Sequence, residues 1–349
     1  MKNRGGILCK VLSLVGVFII LICCIIFSAG VGAVYIPASD VFNLISLQLT
    51  GSDIPAQYPE SWGIILFSIR LPRIILGTLV GMTLAVAGGV FQALFRNPLA
   101  DPYLIGVSSG ASFGATIAIY FIWQFSWGGF NAVSISAFCG ALITMIAIYG
   151  ISRVGKSTPV TILILAGVAL GSLLTAGTTF LMFTAYDAYQ TINTLEWLFG
   201  SLATASWNEV TGILPYLGSG FIMLGFFSHH LNVLQLDDHQ AQALGIHVER
   251  TKLILLFVTT LATAAAVSVS GIIGFVGLIV PHIVRLIWGP DHRFLLPMSG
   301  LIGAIVLILA DSLARIVFAP RELPIGIVTA LIGAPFFLYL LRRQKRDVM

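Results

Sequence analysis

Residues 74–95 carry no charge, yet Arg73 and Arg96 bracket them closely. As a helix at 1.5 Å per residue they would reach about 33 Å, close to the thickness of a bilayer's hydrocarbon core. Turn and charge signals appear only at the two ends, as Arg70-Leu-Pro-Arg73 and as Arg96-Asn-Pro-Leu-Ala-Asp-Pro102. This pattern predicts a membrane-crossing helix with a polar feature at each mouth.

The rest of the chain repeats the constraint. Of 349 residues, 58% are hydrophobic and 9% charged, whereas soluble domains carry about 25% charged residues. Too little charge exists to cover a soluble surface. In hydrocarbon the backbone must satisfy itself, so spans are helices or a closed barrel. Barrel strands would alternate apolar and polar residues; these runs are continuous. The expected class is an all-α polytopic membrane protein forming one transmembrane domain over residues 1–349. About ten transmembrane helices are expected, near 8–34, 64–94, 103–123, 132–150, 158–183, 208–228, 253–270, 276–288, 295–318 and 325–341. The first run is about 24 residues, longer than a signal-peptide core of about 7–15, and reads as a retained span. Cys9, Cys23, Cys24 and Cys139 lie in or beside apolar runs without metal-ligand spacing.

Charge then orients the loops. With the N-terminus inside, Arg96, Arg153, Lys156, Arg250, Lys252, Arg293 and the tail residues Arg342, Arg343, Lys345 and Arg346 fall on one side. Asp40, Asp53, Glu60, Asp187 and Glu196 fall on the other. An even span count with both termini cytoplasmic follows. Arg70, Arg73, Arg315 and Arg321 break the rule by sitting at outer helix ends, and read as a basic rim for an acidic partner. Asp311 stands one turn from Arg315 and is expected to neutralise it.

Leu104–Ala115 and Leu295–Ala304 share Ser-Gly followed by Gly-Ala at the start of a span. Five spans lie between them, and the reading taken from this is two inverted-related halves. Gly77/Gly81 and Gly110/Gly114 are GxxxG pairs suited to close helix packing.

Three further segments carry mechanical meaning. Pro98 and Pro102 force a rigid turn after residue 96, with Asp101 placed to cap the next helix. In the loop 229–252, Leu236–Gly245 reads as a short helix. Asp237 and Asp238 stand near its start, Ala241 and Leu244 on one face, and Gly245 as terminator. Gly271–Arg285, with its glycines and Pro281, predicts a helix interruption at membrane depth. His229, His230 and His282 lack companion ligands, and no metal site is read from them. No GxxxxGK[ST] loop occurs, so energy must come from elsewhere if the chain drives uphill transport.

These segments together resemble the FecCD/BtuC family, the permease subunits of type II ABC importers for iron–siderophores, haem and cobalamin. The resemblance rests on Arg70-Leu-Pro-Arg73, Gln92 with Arg96-Asn97-Pro98-Leu99-Ala100, and Ala243-Leu-Gly245. It continues through Gly274-Phe-Val-Gly277-Leu278, Pro281-His282, Asp291-His-Arg293, Asp311 with Arg315, Glu322-Leu-Pro324-Ile-Gly326 and Gly333-Ala-Pro-Phe336. It implies a BtuC-like fold, a homodimer with the pathway on its axis, two cytoplasmic ATPase subunits and an extracytoplasmic substrate-binding protein. No cofactor is implied on this chain, ATP and Mg²⁺ belonging to the ATPase. It implies a multi-pass location in a prokaryotic inner membrane. Arg70, Arg73 and Arg315 are implied to meet acidic residues of the binding protein, and Leu236–Gly245 to insert into the ATPase. The helices near 158–183 and 325–341 are implied to line the pathway. An iron complex is the expected cargo, with cobalamin as the alternative. An ion-coupled secondary transporter is the reading from another class, and it would require an essential buried carboxylate such as Asp311.

Overall fold

The computed structural model describes residues 2–52, 55, 58–155, 157–185, 187–319 and 321–347. Asp53 and Lys156, two of the loop charges read above, lie outside the described residues. The chain begins with α1 (Lys2–Gly30) and α2 (Ala38–Leu49). A composite helix follows, made of α3 (Glu60–Ile64), a π-helical segment (Ile65–Arg70) and α4 (Leu71–Leu94). Pro72 explains the π segment: it lacks the N–H that would bond one turn back, and its ring crowds that carbonyl, so the helix widens before it. A 3₁₀ turn (Pro102–Ile105) leads to α5 (Val107–Tyr120), and a short hairpin pairs Ser126–Trp127 with Phe130–Asn131. Then come α6 (Ala132–Ser152), α7 (Val160–Phe183), α8 (Ala188–Leu198), α9 (Trp207–Leu234), α10 (Asp238–Ala243) and α11 (Val248–Ser270). The chain closes with α12 (Val276–Trp288), α13 (His292–Ile316) and α14 (Ile325–Asp347).

Seven helices among the described residues are long and apolar enough to cross a membrane. Of the three remaining expected spans, α12 and α14 begin where expected, at Val276 and Ile325, and α5 begins four residues late, at Val107. Backbone outside the α-helices precedes each of them, at 97–106, 271–275 and 321–324. The interruption falls at 271–275, while Pro281 sits inside α12 without breaking it. Gly271 has φ 66° and ψ −165°, a conformation open essentially to glycine alone.

The interruptions satisfy one another, as a low-dielectric setting requires. Ser201 N donates to Ser270 O at 2.8 Å, Ile325 N to Gly200 O at 2.9 Å, and Gly326 N to Phe199 O at 2.9 Å. Tyr103 Oη donates to Ile273 O at 3.1 Å. Residues 199–201, between α8 and α9, thus tie together the breaks before α12 and α14, which Ile325 and Gly326 join as donors from the α14 side. Phe275 caps α12 with φ 70°, a strained value for an aromatic residue, and presses on Gly333 of α14.

The core is built around α4. In its most apolar window 78% of residues are buried, against 11% for α1 and α7, which face outward. Its closest partner is α13, where Gly81 and Gly303 meet backbone to backbone, each lacking room for a Cβ. Gly88 and Gly277 do the same between α4 and α12. Gly110 and Gly114 seat α5 against Gly140 and Ser136 of α6. Gly77 instead faces Leu202, so only one member of the first GxxxG pair joins two helices closely.

One expectation needs correcting. Both α5 and α13 start at the Arg96 end of α4: α5 follows the turn after Arg96, and His292 N bonds Asn232 near the end of α9. Five intervening spans mean six reversals of direction, so the two segments run parallel. The Ser-Gly/Gly-Ala pair therefore does not carry an inverted relation between halves.

Candidate functional site

The two polar features bracketing α4 become two charge clusters. At the first, Arg73 enters the bundle as α4 begins. Its Nε lies 2.9 and 3.1 Å from the two Asp311 carboxylate oxygens, and its Nη2 lies 2.8 Å from Oδ1. Its Nη1 donates to Glu322 Oε2 at 2.7 Å. Arg315 stands one turn after Asp311, 3.1 Å from its other oxygen. It also donates to Ser28 Oγ at 2.7 Å and to Val31 O at 3.1 Å. Arg70 turns to the end of α1, donating to Ala29 O at 2.7 Å and to Val34 O. Gly32 makes room for it, since a Cβ there would lie 2.6 Å from Arg70 Nη2.

Arg70, Arg73 and Arg315 are therefore not free outward charges, whereas Arg321 is exposed. Arg70 and Arg73 are 5% exposed and Arg315 7%. The physical reason is their position inside the first or last helical turn, where neighbouring carboxylates and orphan carbonyls are within side-chain reach. Glu322 is the exception, with 40% of its side chain exposed. Three guanidiniums against two carboxylates leave one net positive charge.

At the other end, Arg96 adopts φ 47° just past α4. Its Nε donates to Leu234 O at 2.9 Å, and its Nη2 pairs with Asp238 of α10. Lys252 of α11 donates to the second Asp238 oxygen at 2.8 Å. Partial burial works against this carboxylate, but Lys252 and Arg96 outweigh it and hold its pKa below the usual carboxylate range. Ala241 is buried against the bundle, while Leu236 and Leu244 are exposed, so Ala241 and Leu244 do not share one face. The helix ends at Ala243, and Gly245 turns the chain with φ 83°. Asp237 accepts from the N–H of Asp238. The turn after Arg96 and the short helix, distinct in sequence, are one assembly.

The remaining motif residues hold this frame. Gln92 Nε2 donates to Leu278 O at 3.0 Å, locking α4 to α12. Pro281 packs beside Gly89, and the Asn97 side-chain oxygen Oδ1 accepts from Leu99 N at 3.0 Å across Pro98. Asp101 accepts from Tyr103 N at 2.9 Å, as its capping role requires. One lock escaped sequence reading: Asn232 donates to Asp291 at 2.7 Å and accepts from His292 N at 2.8 Å, pinning α9 to α13. The Asp291-His-Arg293 motif was its only trace.

A third feature is an open groove of about 950 Å³ between α7 and the start of α5. Gly167 of α7 approaches the Leu104 carbonyl there. Among the described residues no group of three or more His, Cys, Asp or Glu is placed to hold a metal ion. Asp311, the carboxylate an ion-coupled carrier would need, is engaged by two arginines.

Residues 20–343 match the model of the FecCD transport family. The chain is 47% identical to the cobalamin import system permease protein BtuC of Halobacterium salinarum, over 83% of this chain and 77% of that one. It is 41% identical to the hemin transport system permease protein HmuU of Yersinia pestis, over 80% and 84%. It is 39% identical to the Fe(3+)-citrate import system permease protein YfmE of Bacillus subtilis, over 94% of each. A solved structure described as an inward-facing metal-chelate type ABC transporter superposes with a TM-score of 0.82. It shares 33% identity and covers 95% of this chain and 98% of that one.

Proposed function

The chain belongs to the FecCD transport family, and on that premise we propose that it is the membrane-spanning permease subunit of an ATP-driven importer of metal chelates. It performs no hydrolysis itself; a separate cytoplasmic ATPase supplies the energy. The observation that carries this reading is α10. Arg96 and Lys252 hold this short helix against the ends of α4 and α11, while Leu236 and Leu244 stay exposed beside it. Such a lever fits a partner cleft and passes its movement to the core helix α4. In this reading the Arg96 end is cytoplasmic and both termini lie there.

A second copy of the chain closes the pathway along α7 and α14, and an extracytoplasmic binding protein lands at the Arg73 end. Landing on Arg70, Arg73 and Arg315 requires a partner carboxylate to displace Glu322, the exposed member of that cluster. The cargo is an iron complex, a siderophore or haem, or alternatively cobalamin. Reconstitution tests the reading. Liposomes holding this chain alone should accumulate no chelate, and liposomes holding it with the ATPase, binding protein and ATP should. Accumulation driven by an ion gradient without the ATPase would sink it.

A further inference from the structure

Ser172, Thr175 and Thr179 recur at helical spacing on α7, all exposed, on a helix otherwise dominated by Leu, Ala, Gly and Phe. They line the groove described above. Gly171 keeps it open, because a Cβ there would come within 3.0 Å of Ser109 Oγ on the opposite wall. Among the described residues, no charged side chain and no histidine or cysteine lines it. A metal passing through keeps the ligands it arrives with.

The hydroxyls of the groove already have backbone partners. Ser172 donates to Val168 O at 2.8 Å, Thr175 to Gly171 O at 2.9 Å and Thr179 to Thr175 O at 2.9 Å. Across the groove, Ser109 donates to Gly106 O at 3.3 Å and Tyr103 to Ile273 O at 3.1 Å. A hydroxyl has one proton and two lone pairs. Each of these hydroxyls has a backbone carbonyl within hydrogen-bond distance to take its proton, so it can offer its lone pairs to a ligand without giving up that bond. A carboxylate meets no cationic side chain there, and a hydroxyl donates to it only by turning away from its own carbonyl. An N–H or O–H donor finds lone pairs along the whole stripe.

We infer that this groove selects neutral chelates whose rims carry N–H or O–H donors, such as corrinoids and ferric trihydroxamates, over carboxylate-bearing chelates such as haem and ferric citrate. The inference rests on the permease reading and narrows its cargo. The test is equilibrium binding of cyanocobalamin, ferrichrome, haemin and ferric citrate to the permease–ATPase complex in nanodiscs. The neutral pair should bind at least about tenfold more tightly than the anionic pair, the scale of one or two net hydrogen bonds. Thr175→Val with Thr179→Val, isosteric and exposed, should erase that preference, and the Thr→Ser pair should keep it. Anionic chelates binding as tightly, or a preference surviving in the valine pair, would overturn the inference. ATP-dependent uptake of the same four probes by cells carrying the whole importer is read separately. Uptake of an anionic chelate alone defeats the inference and leaves the permease reading intact. No uptake of any probe while the binding preference holds counts against the permease reading instead.

Discussion

The two charge clusters at the ends of α4 use the same chemistry for opposite ends. Arg73 and Asp311 meet through a forked contact, with side chains 6% and 3% exposed. Arg96 and Asp238 meet with 38% of each side chain exposed. About 35 Å separates the two sites along the helix. A buried pair gains little over an apolar one, yet removing one partner strands a charge out of water. A half-exposed pair is screened, exchanges readily and contributes little. The first cluster therefore fixes where α1, α4 and α13 sit. The second holds α10 loosely enough for a partner to move it. Rigidity at one end and compliance at the other suit a helix that transmits displacement.

Three perturbations would break or sharpen that contrast. Asp311→Asn has the largest expected effect. It leaves Arg73 and Arg315 without their shared carboxylate and should cost about 3–5 kcal/mol, read as a lowered melting temperature of the purified permease. An unchanged melting temperature would show that the cluster does not fix the bundle. Glu322→Gln comes next. Arg73 keeps Asp311, so the loss should be near 1 kcal/mol, while affinity for the binding protein changes through the altered rim charge. Equal losses for the two variants would erase the distinction between core and rim within the cluster.

Asp238→Asn should move stability least, by no more than about 1 kcal/mol, with the difference vanishing at high salt. Its effect should appear in ATP-dependent transport rather than in melting. The pH dependence has a definite sign. The folded pKa of Asp238 lies below its unfolded value of about 3.9. Its contribution is therefore fully present above that value and is lost as pH falls through the folded pKa. Hydrogen-exchange protection across 236–245, taken relative to the intrinsic rate at each pH, should fall only in that acidic window. Protection that is flat there, or lower near neutrality, would remove Asp238 as the anchor of α10.

Some of the site was legible before any coordinates. The Arg96 turn, the Asp101 cap and the short helix at 238–243 were readable because capping and turn chemistry act over three or four residues. Asp311 and Arg315 were legible for the same reason, one turn apart. The burial of Arg70 was not, because its acceptors are backbone carbonyls at the end of α1 and just beyond it, which leave no mark in composition. Nor was the knot of Phe199–Ser201, Ser270–Phe275 and Pro324–Gly326 readable, since glycines announce a break in a helix without naming what fills it.

The sequence by itself determined the class of the protein, the positions of its ten apolar segments and the two polar ends of α4. Those are one-dimensional properties: bilayer thickness sets a length, and any run of residues meets it or does not. Only the tertiary structure decided that Arg73 belongs to Asp311, 238 residues away, that Arg96 belongs to Asp238, and that the hydroxyls of α7 share a groove with Ser109. Such pairings depend on which helices stack, and that is settled by close contacts such as Gly81 on Gly303, where the absence of two side chains lets α4 and α13 touch.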